Sequence, residues 1–343
     1  MKLEDILNEV RANLTGDPLK DAPYLNEMSA KYKGQEFSEE LDREFASIMF
    51  ETEQKSHQTS VDEFLEVKNQ DVNEKLEKAE KRFNNRNFNA GIEILEEIIK
   101  NNIFAWHDTD DCTYKCFGTP LEYLLYKNLY EDKNNAKEIK PVNCNLSKVY
   151  WMYAHGLTKK NRYGEALKAI ERAQELNPVD PELYIQYIEL AKQTSDTELL
   201  KKCAEMLLKC AITKQQVGHA YFTYSFYFSE IRQFDKALAL LQMSKIFRES
   251  DLYETELEYI TQQMGLGHAP AMFNTNELMN ILITENIQPG PSAAVVHIAN
   301  TVAKQFEDEG ELLFAKRFYE IVFELTEDEK TGEHIKEIAK KIK

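Results

Sequence analysis

The sequence predicts an all-α protein built from consecutive antiparallel helix pairs. Its 343 residues include only 12 glycines and 9 prolines, well under the average usage of about 7% and about 5%. Long helices joined by short turns are therefore favoured over hairpin-rich sheets. A pattern of aromatic and small residues starts near Ser147 and starts again near Pro181. Hydrophobic residues make up 43% of the chain, with 18 Phe and 17 Tyr, which is enough apolar surface to form a core.

Composition narrows the classes of partner. Lys and Arg number 42 against 59 Asp and Glu, a net charge of −17. Such a field repels phosphate backbones and anionic lipid head groups, so we expect neither nucleic acid nor a membrane as partner. The five cysteines are an odd number spread through a large chain, which is typical of a reducing cytosol. The charged N-terminus lacks the apolar core of a signal peptide, so we expect a cytoplasmic protein.

The clearest repeat covers residues 147–180. Two helices are predicted there, separated by a turn at 159–162 and ended by Asn177-Pro178, because proline disfavours helical geometry in the residue before it. Small residues let two antiparallel helices approach closely, and large apolar residues fill the space between hairpins. The residues at these repeat-packing places are Tyr150, Tyr153, Ala154, Leu157, Ala166, Ile170, Ala173 and Pro178.

Two further units follow this one. The second has Tyr184 and Tyr187 at the aromatic places, and its second helix is degenerate, with Leu200 in place of the alanine. The third, from Gly218, has Tyr221, Tyr224 and Ser225 in its first helix and Ala237 in its second. Weaker copies of the pattern cover residues 74–102 and 295–329. Three consecutive units are about the minimum for a self-stable stack.

Together these residues resemble the tetratricopeptide repeat, whose pattern is W-x2-L-G-x2-Y, then A-x3-F, then a closing proline. The resemblance covers residues 72–330 and is specific at 147–251. It implies a right-handed superhelical solenoid of antiparallel helix pairs, of no assignable subfamily. The abundant Lys, Asn, Glu and Ile are typical of an AT-rich bacterium.

The predicted segments are an N-terminal helical cap or extension (1–70), a degenerate repeat (72–102), a long inserted loop (103–120), a helix and linker (121–146), three central units (147–251), a degenerate helical pair and joint (252–291) and a C-terminal repeat-like unit with a capping helix (292–343).

The inserted loop at 103–120 is the one place where chemistry is conceivable, because structureless loops of this length are often functional. It carries possible metal ligands: His107, Asp108, Asp110, Asp111, Cys112 and Cys116. A zinc site requires a second Cys or His pair, and the sequence near the loop has none. A calcium loop requires a glycine and a terminal glutamate, and the aspartates of this segment lack them. We therefore expect no metal or other cofactor. The simpler interpretation is that the loop folds back over the repeats and anchors Phe104, Trp106, Tyr114 and Phe117.

The predicted binding face lies on the first helix of each hairpin. In tetratricopeptide-repeat proteins this helix lines the concave side, and the helical period gives the residues that point there. Trp151, Ile185 and Phe222 occupy equivalent places, so a column of apolar side chains is expected on a face that would otherwise be solvated, and such patches mark interaction sites. The predicted partner-binding residues are Lys148, Trp151, His155, Ile185, Glu189, His219, Phe222 and Phe226.

The resulting functional prediction is a scaffold or adaptor that binds a protein or peptide, not an enzyme. No nucleophile elbow, zinc-protease, dinucleotide or P-loop motif is present. The inward positions lack the basic and amide clamp of heat-shock co-chaperones. Three alternatives remain open: a DNA-independent peptide-sensing regulator, a metal-binding protein that uses the 103–120 loop, and a groove filled by that loop or by the N-terminal segment. The sequence leaves the oligomeric state open.

Overall fold

The prediction of an all-α protein is confirmed, with the addition of one short sheet. The computed structural model describes residues 3–15, 18–35, 37–53, 59–102, 108, 112–130, 137–142, 145–248, 250, 252–268 and 272–342. Within these residues the chain forms seventeen helices and two strands. In chain order they are α1 Leu3–Asn13, α2 Pro18–Lys31, α3 Ser38–Glu53, α4 Thr59–Asn84, α5 Phe88–Asn102, β1 Cys112–Lys115, α6 Pro120–Tyr130, β2 Glu138–Pro141, α7 Leu146–Lys159, α8 Tyr163–Leu176, α9 Pro181–Thr194, α10 Thr197–Cys210, α11 Lys214–Glu230, α12 Phe234–Phe247, α13 Leu252–Gln263, α14 Thr275–Thr284, α15 Ala293–Asp308, α16 Leu312–Thr326 and α17 Glu329–Lys341.

These elements belong to two compact units. Unit 1 contains residues 1–117 and 134–177, and unit 2 contains residues 118–133 and 178–343. The predicted central segment is therefore divided, with α7 and α8 in unit 1 and α9–α12 in unit 2. Helix α6 also belongs to unit 2, where it packs against α15 far along the sequence.

At the start of unit 1, helices α1, α2 and α3 form a small core of their own. Ile6, Leu25, Leu41 and Phe45 are fully buried in it. The turn between α1 and α2 is held by Asp21, which accepts hydrogen bonds from the backbone N–H and the hydroxyl of Thr15 at 2.7 and 2.8 Å. The segment predicted to be a helical extension is thus helical, and it has a hydrophobic core.

Two glycines allow close packing around α5: Gly91 where α5 meets α4, and Gly156 where α7 meets the α4–α5 pair. A Cβ at Gly156 would lie 2.7 Å from Phe83 Cζ and 2.9 Å from Ile92 Cγ1, and a Cβ at Gly91 would overlap the Phe83 ring. The missing side chains therefore let α5 pack against both α4 and α7. Within the α7–α8 hairpin, the buried Ser147 hydroxyl donates to the Ala173 carbonyl at 3.1 Å.

The segment predicted as a structureless loop contains a strand. Strand β1 pairs in parallel with β2, Cys112 opposite Glu138 and Lys115 opposite Pro141, and it is held on the end of α8 by the Cys116 N–H, which donates to the Leu176 carbonyl at 2.8 Å. The residue pattern of the loop does not predict a strand, because β1 forms only by pairing with β2. That strand lies in the segment predicted to be a linker, 121–146. Phe104, Trp106, His107, Asp110 and Asp111 lie outside the described residues.

Asp108 organises this strand. Its carboxylate accepts hydrogen bonds from the Thr113 hydroxyl at 2.5 Å and the Tyr114 N–H at 2.9 Å, and the Lys115 ammonium donates to it at 3.2 Å. Burial alone would raise the pKa of Asp108, but these bonds lower it on balance. A residue that the sequence offered as a metal ligand is therefore occupied in structural contacts.

In unit 2, the hairpins α9–α10 and α11–α12 are built on the small residues of the repeat. The Ser225 hydroxyl, at the small-residue place of α11, donates to the Ala237 carbonyl at the alanine place of α12, 2.8 Å away. At the first aromatic place, the Tyr184 hydroxyl donates to the Pro178 carbonyl at 2.6 Å. Successive hairpins are linked where Gln216 Nε2 donates to Glu182 Oε1 at 2.9 Å.

Across both units, the predicted repeat-packing residues are buried with one exception. Tyr153 is half-buried, and its hydroxyl donates to Glu96 Oε1 at 3.0 Å. Burial and this hydrogen bond raise its pKa to about 12. The buried members are Tyr150, Ala154, Leu157, Ala166, Ile170, Ala173, Pro178, Tyr184, Tyr187, Tyr221, Tyr224 and Ala237.

The rest of unit 2 folds back on the repeat hairpins. Helices α13 and α14 each pack against α12. The following joint, residues 287–292, runs along α10 and α11: the Tyr221 hydroxyl donates to the Gln288 carbonyl at 2.7 Å, and Gln288 Nε2 donates to the Leu208 carbonyl at 3.3 Å. Helix α15 then packs against α6 and α16. Helix α17 is held by His334, whose Nε2 lies 2.8 Å from the Glu307 carboxylate.

Candidate functional site

The residues predicted to bind a partner are divided between the two units, so each unit has a candidate face of its own. Lys148, Trp151 and His155 lie on α7 in unit 1. The other five lie in unit 2: Ile185 and Glu189 on α9, and His219, Phe222 and Phe226 on α11.

The α7 face is a half-buried aromatic surface. The rings of Trp151 and His155 are stacked with centroids 6.3 Å apart and an interplanar angle of 19°. The ring of Phe83, from α4, lies 6.3 Å from the His155 ring. One turn earlier, Lys148 forms an exposed ion pair of 3.9 Å with Glu80 of α4. The two helices thus present aromatic rings with one salt bridge beside them.

The α9–α11 face is centred on Lys192 of α9. Its ammonium lies 5.3 Å from the ring centroid of Phe222 and 4.8 Å from that of Phe226. A cation over two aromatic faces is attracted by the ring quadrupoles, more strongly when it is desolvated. Ile185 and Glu189 are half-buried on the same helix.

The expectation that Phe222 is exposed is wrong. Only 5% of it is accessible, and Lys192 of the preceding hairpin lies over its ring. The expectation treated the inward side of each first helix as facing solvent. In the structure, the long Lys192 side chain of the neighbouring hairpin covers the Phe222 ring. Phe226, one turn further along α11, is half-buried, so the accessible part of the cation–aromatic cluster is its Phe226 end.

Burial makes the charges of this face unusual. It lowers the pKa of Lys192, although Glu256 opposes the shift. It also raises the pKa of Glu256, which accepts a hydrogen bond from the Ser229 hydroxyl at 3.2 Å. His219 is affected most: burial, and then the positive charges of Arg248 and Lys192, lower its pKa to about 4. Its imidazole is therefore neutral at neutral pH.

Two residues of this face, Arg248 and Glu256, were not predicted from the sequence. They come from the end of α12 and from α13, whereas the repeat argument considered only the first helix of each hairpin. One feature of the sequence indicates the position of Arg248. Gly218 stands where the first hairpin has Ser147, and a Cβ there would overlap Arg248 Cβ and lie 3.1 Å from the Ser244 carbonyl oxygen. A glycine at a repeat position thus marks the close approach of Arg248.

The two cysteines of α10 are deeply buried thiols. Cys203 and Cys210 are buried on α10, and burial raises the pKa of Cys203 to about 12 and that of Cys210 as well. Both are therefore protonated thiols rather than nucleophilic thiolates. No group of three or more His, Cys, Asp or Glu side chains gathers within the residues that the structure describes. No helix among them is both long and apolar enough to cross a bilayer.

Comparison with known proteins gives a similarity to solved structures. No family model matches the chain, and no curated protein matches it. Among solved structures, it is similar to the crystal structure of a tetratricopeptide repeat protein from Parabacteroides merdae, with 12% identity, a TM-score of 0.31, and coverage of 79% of this chain and 98% of that one. Both the identity and the TM-score are low, so the description of the fold rests on the helices and contacts of this chain.

Proposed function

We propose that the protein is a non-enzymatic scaffold or adaptor whose first-helix faces, on α7 and on α9–α11, bind a segment of another protein. The observation that carries the proposal is Lys192. Its half-buried ammonium lies over the rings of Phe222 and Phe226, and no carboxylate in the described part of the chain forms an ion pair with it.

Such a lysine is unfavourable for folding by itself. Removing an ammonium from water costs free energy unless hydrogen bonds and counter-charges replace the lost hydration. Ammonium groups have three donors, and none of those of Lys192 is taken by an acceptor in the residues described. Burial lowers the pKa of Lys192, and ionisable groups with perturbed pKa values cluster at functional sites. We infer that the acceptors come from a bound peptide, through its carbonyl or carboxylate groups.

The surroundings of Lys192 fit a peptide ligand. Phe226 offers a half-buried ring for an apolar side chain, and aromatic residues are the commonest anchors of protein interfaces. Arg248 adds a second positive charge, since its field lowers the pKa of His219. In unit 1, the stacked rings of Trp151 and His155 provide an aromatic surface on the equivalent helix. Helix faces of this kind recognise extended or helical protein segments.

The test is selection of a displayed random peptide library on the purified protein, followed by affinity measurement. We expect wild type to enrich a peptide family. For the enriched peptide, Lys192→Met and Phe226→Ala should weaken binding at least tenfold, because a hydrogen bond to a charged group contributes about 1.5–3 kcal/mol.

The matched control is Lys201→Met. The Lys201 ammonium lies 5.5 Å from the ring of Tyr227, so this substitution removes the same kind of cation–aromatic contact from α10, outside the proposed face. It should leave binding unchanged. Equal affinity of all three variants, or no enrichment on wild type, would contradict the proposal.

A further inference from the structure

We propose that unit 2 contains a second binding site, a cavity between α10, α11, α14 and the joint at residues 287–292. Its ligand is a small neutral group with an apolar body and one hydrogen-bond acceptor, presented by a free small molecule or by a peptide side chain. This site is separate from the face around Lys192 and does not depend on the function proposed for that face.

The cavity has a volume of about 430 Å³, within the range of about 300–1,000 Å³ that is usual for ligand pockets. Apolar side chains form half of its lining. Leu208 comes from α10, Leu282 and Ile283 from α14, and Ile287 and Pro289 from the joint. Ile283 is 69% exposed at the rim, so the cavity is open to an entering molecule.

Hydrogen bonds hold the walls in place before any ligand binds. The Gly290 N–H donates to the Tyr221 hydroxyl at 2.5 Å, and that hydroxyl donates to the Gln288 carbonyl at 2.7 Å. The side chain of Gln288 donates to the Leu208 carbonyl at 3.3 Å. The joint is thereby fixed to both α10 and α11, and a site formed in advance binds with a smaller loss of entropy.

Tyr224, from α11, is the most deeply buried of the polar residues that line the cavity, which also include Asn286 and Gln288. The residue is only 3% exposed, yet its hydroxyl has no hydrogen-bond partner among the residues that the structure describes. The hydroxyls of Tyr184 and Tyr221, at the first aromatic place of their hairpins, are both bonded to carbonyls. Burial raises the pKa of Tyr224, so the group remains a donor. The hydroxyl oxygen is not sealed from solvent, so it can donate to an acceptor on a ligand that enters the cavity.

The charges at the rim favour a neutral ligand. Glu205 and Lys209 both line the cavity, and they form an ion pair of 2.7 Å with each other. Neither leaves an uncompensated charge for an ionic ligand. The remaining interactions are apolar contact with the walls, a hydrogen bond from the Tyr224 hydroxyl and contact with the exposed Asn286 amide at the rim. All of these suit an uncharged ligand with a hydrogen-bond acceptor.

The test uses acetophenone, which has an aromatic body and a carbonyl acceptor, and ethylbenzene, which has the same shape without the acceptor. Binding is followed by NMR shifts of the methyl groups of Leu208, Leu282 and Ile283. We expect both probes to shift these methyls, with acetophenone bound about fivefold more tightly, since one hydrogen bond contributes about 1 kcal/mol net. A third probe, N-acetylphenylalaninamide, separates the two possible sources of the ligand. If it binds, the site is assigned to peptide side chains. If acetophenone binds and N-acetylphenylalaninamide does not, the site is assigned to free small molecules.

Two variants decide whether Tyr224 is the donor. Tyr224→Phe should abolish the preference for acetophenone without lowering the melting temperature, because its hydroxyl has no protein partner to lose. Tyr227→Phe, on the same helix but outside the cavity, should keep the preference. The proposal is overturned if neither probe shifts the three methyls of wild type, or if the preference survives in Tyr224→Phe.

Discussion

Two lysines whose pKa is lowered by burial, one in each unit, differ in how their charge is satisfied. Lys115 of β1 is 5% exposed, and its ammonium donates to Asp108 Oδ2 at 3.2 Å and to the Glu175 carbonyl at 2.7 Å. Lys192 of α9 is half-buried over two phenylalanine rings, without an ion pair in the described residues. Burial lowers the pKa of both.

The comparison teaches that burial of a charge does not by itself indicate its role. Lys115 connects the strand to the end of α8 through the Glu175 carbonyl and to the preceding segment through Asp108, so its charge contributes to the fold of unit 1. Lys192 has aromatic contacts but keeps its hydrogen-bond donors available. The useful criterion is whether the N–H donors of the ammonium group have acceptors in the protein. By this criterion Lys115 is structural and Lys192 is a candidate for binding.

Replacing each lysine with methionine gives the largest expected contrast. Lys115→Met should destabilise the β1–α8 region by about 2 kcal/mol, because a buried charge-assisted hydrogen bond is lost. Lys192→Met should change stability by less than about 0.5 kcal/mol or increase it, because a desolvated charge is replaced by an apolar group of similar length.

The measurement for this pair is hydrogen exchange of the Cys116 amide, which donates to the Leu176 carbonyl, together with thermal melting. Lys115→Met should accelerate exchange at Cys116, and Lys192→Met should leave it unchanged. Similar destabilisation by both substitutions would remove the distinction between a structural and a binding lysine.

Glycine substitutions sharpen the comparison with a smaller effect. Gly218→Ala should destabilise unit 2 by about 1–2 kcal/mol, since overpacking a tight core costs about 1–3 kcal/mol and the new Cβ would meet Arg248 and the Ser244 carbonyl. The control is Gly164→Ala on α8, where no atom lies within 4 Å of a new Cβ. Because alanine favours helix, this control should be neutral or slightly stabilising in thermal melts. A neutral Gly218→Ala would show that Arg248 is free to move aside.

The smallest effect expected is on the titration of His219. Its pKa of about 4 lies below the unfolded value near 6.5. Its contribution to stability is therefore complete above pH 6.5 and is lost as the pH falls towards 4. Removing either positive charge, in Arg248→Met or Lys192→Met, should raise this pKa, as followed by the NMR signal of the imidazole Cε1 proton. Lys201→Met should not change it, and an equal rise in that variant would contradict the assigned cause.

Much of the helical architecture could be predicted from residue periodicity. The places of Ala154, Ala166 and Ala173 are local signals, because only small residues let the helices of a hairpin approach, and all three are fully buried. The degenerate helical pair expected within residues 252–291 is formed by α13 and α14. Their packing against α12 was not predicted, since it depends on distant surface rather than on the period of either helix.

The candidate site could be predicted only in part. Periodicity placed His219, Phe222 and Phe226 on one face of α11, and the structure agrees that they surround one region with Lys192. It did not reveal that Phe222 is covered, or that Arg248 and Glu256 join the cluster. The strand at 112–115 was missed for a related reason, because its partner at 138–141 lies beyond an intervening helix.

By itself, the sequence determined which segments are helical and which helix faces are apolar, because both follow from residues three or four positions apart. The tertiary structure alone decided which charged groups lose water and which donors find acceptors. Those outcomes depend on side chains brought together from different helices, as with Lys192, Arg248 and Glu256 at one face and Tyr224 beside the joint at 287–292. Burial and hydrogen bonding are properties of such assembled surfaces, so they cannot be derived from the pattern along one helix.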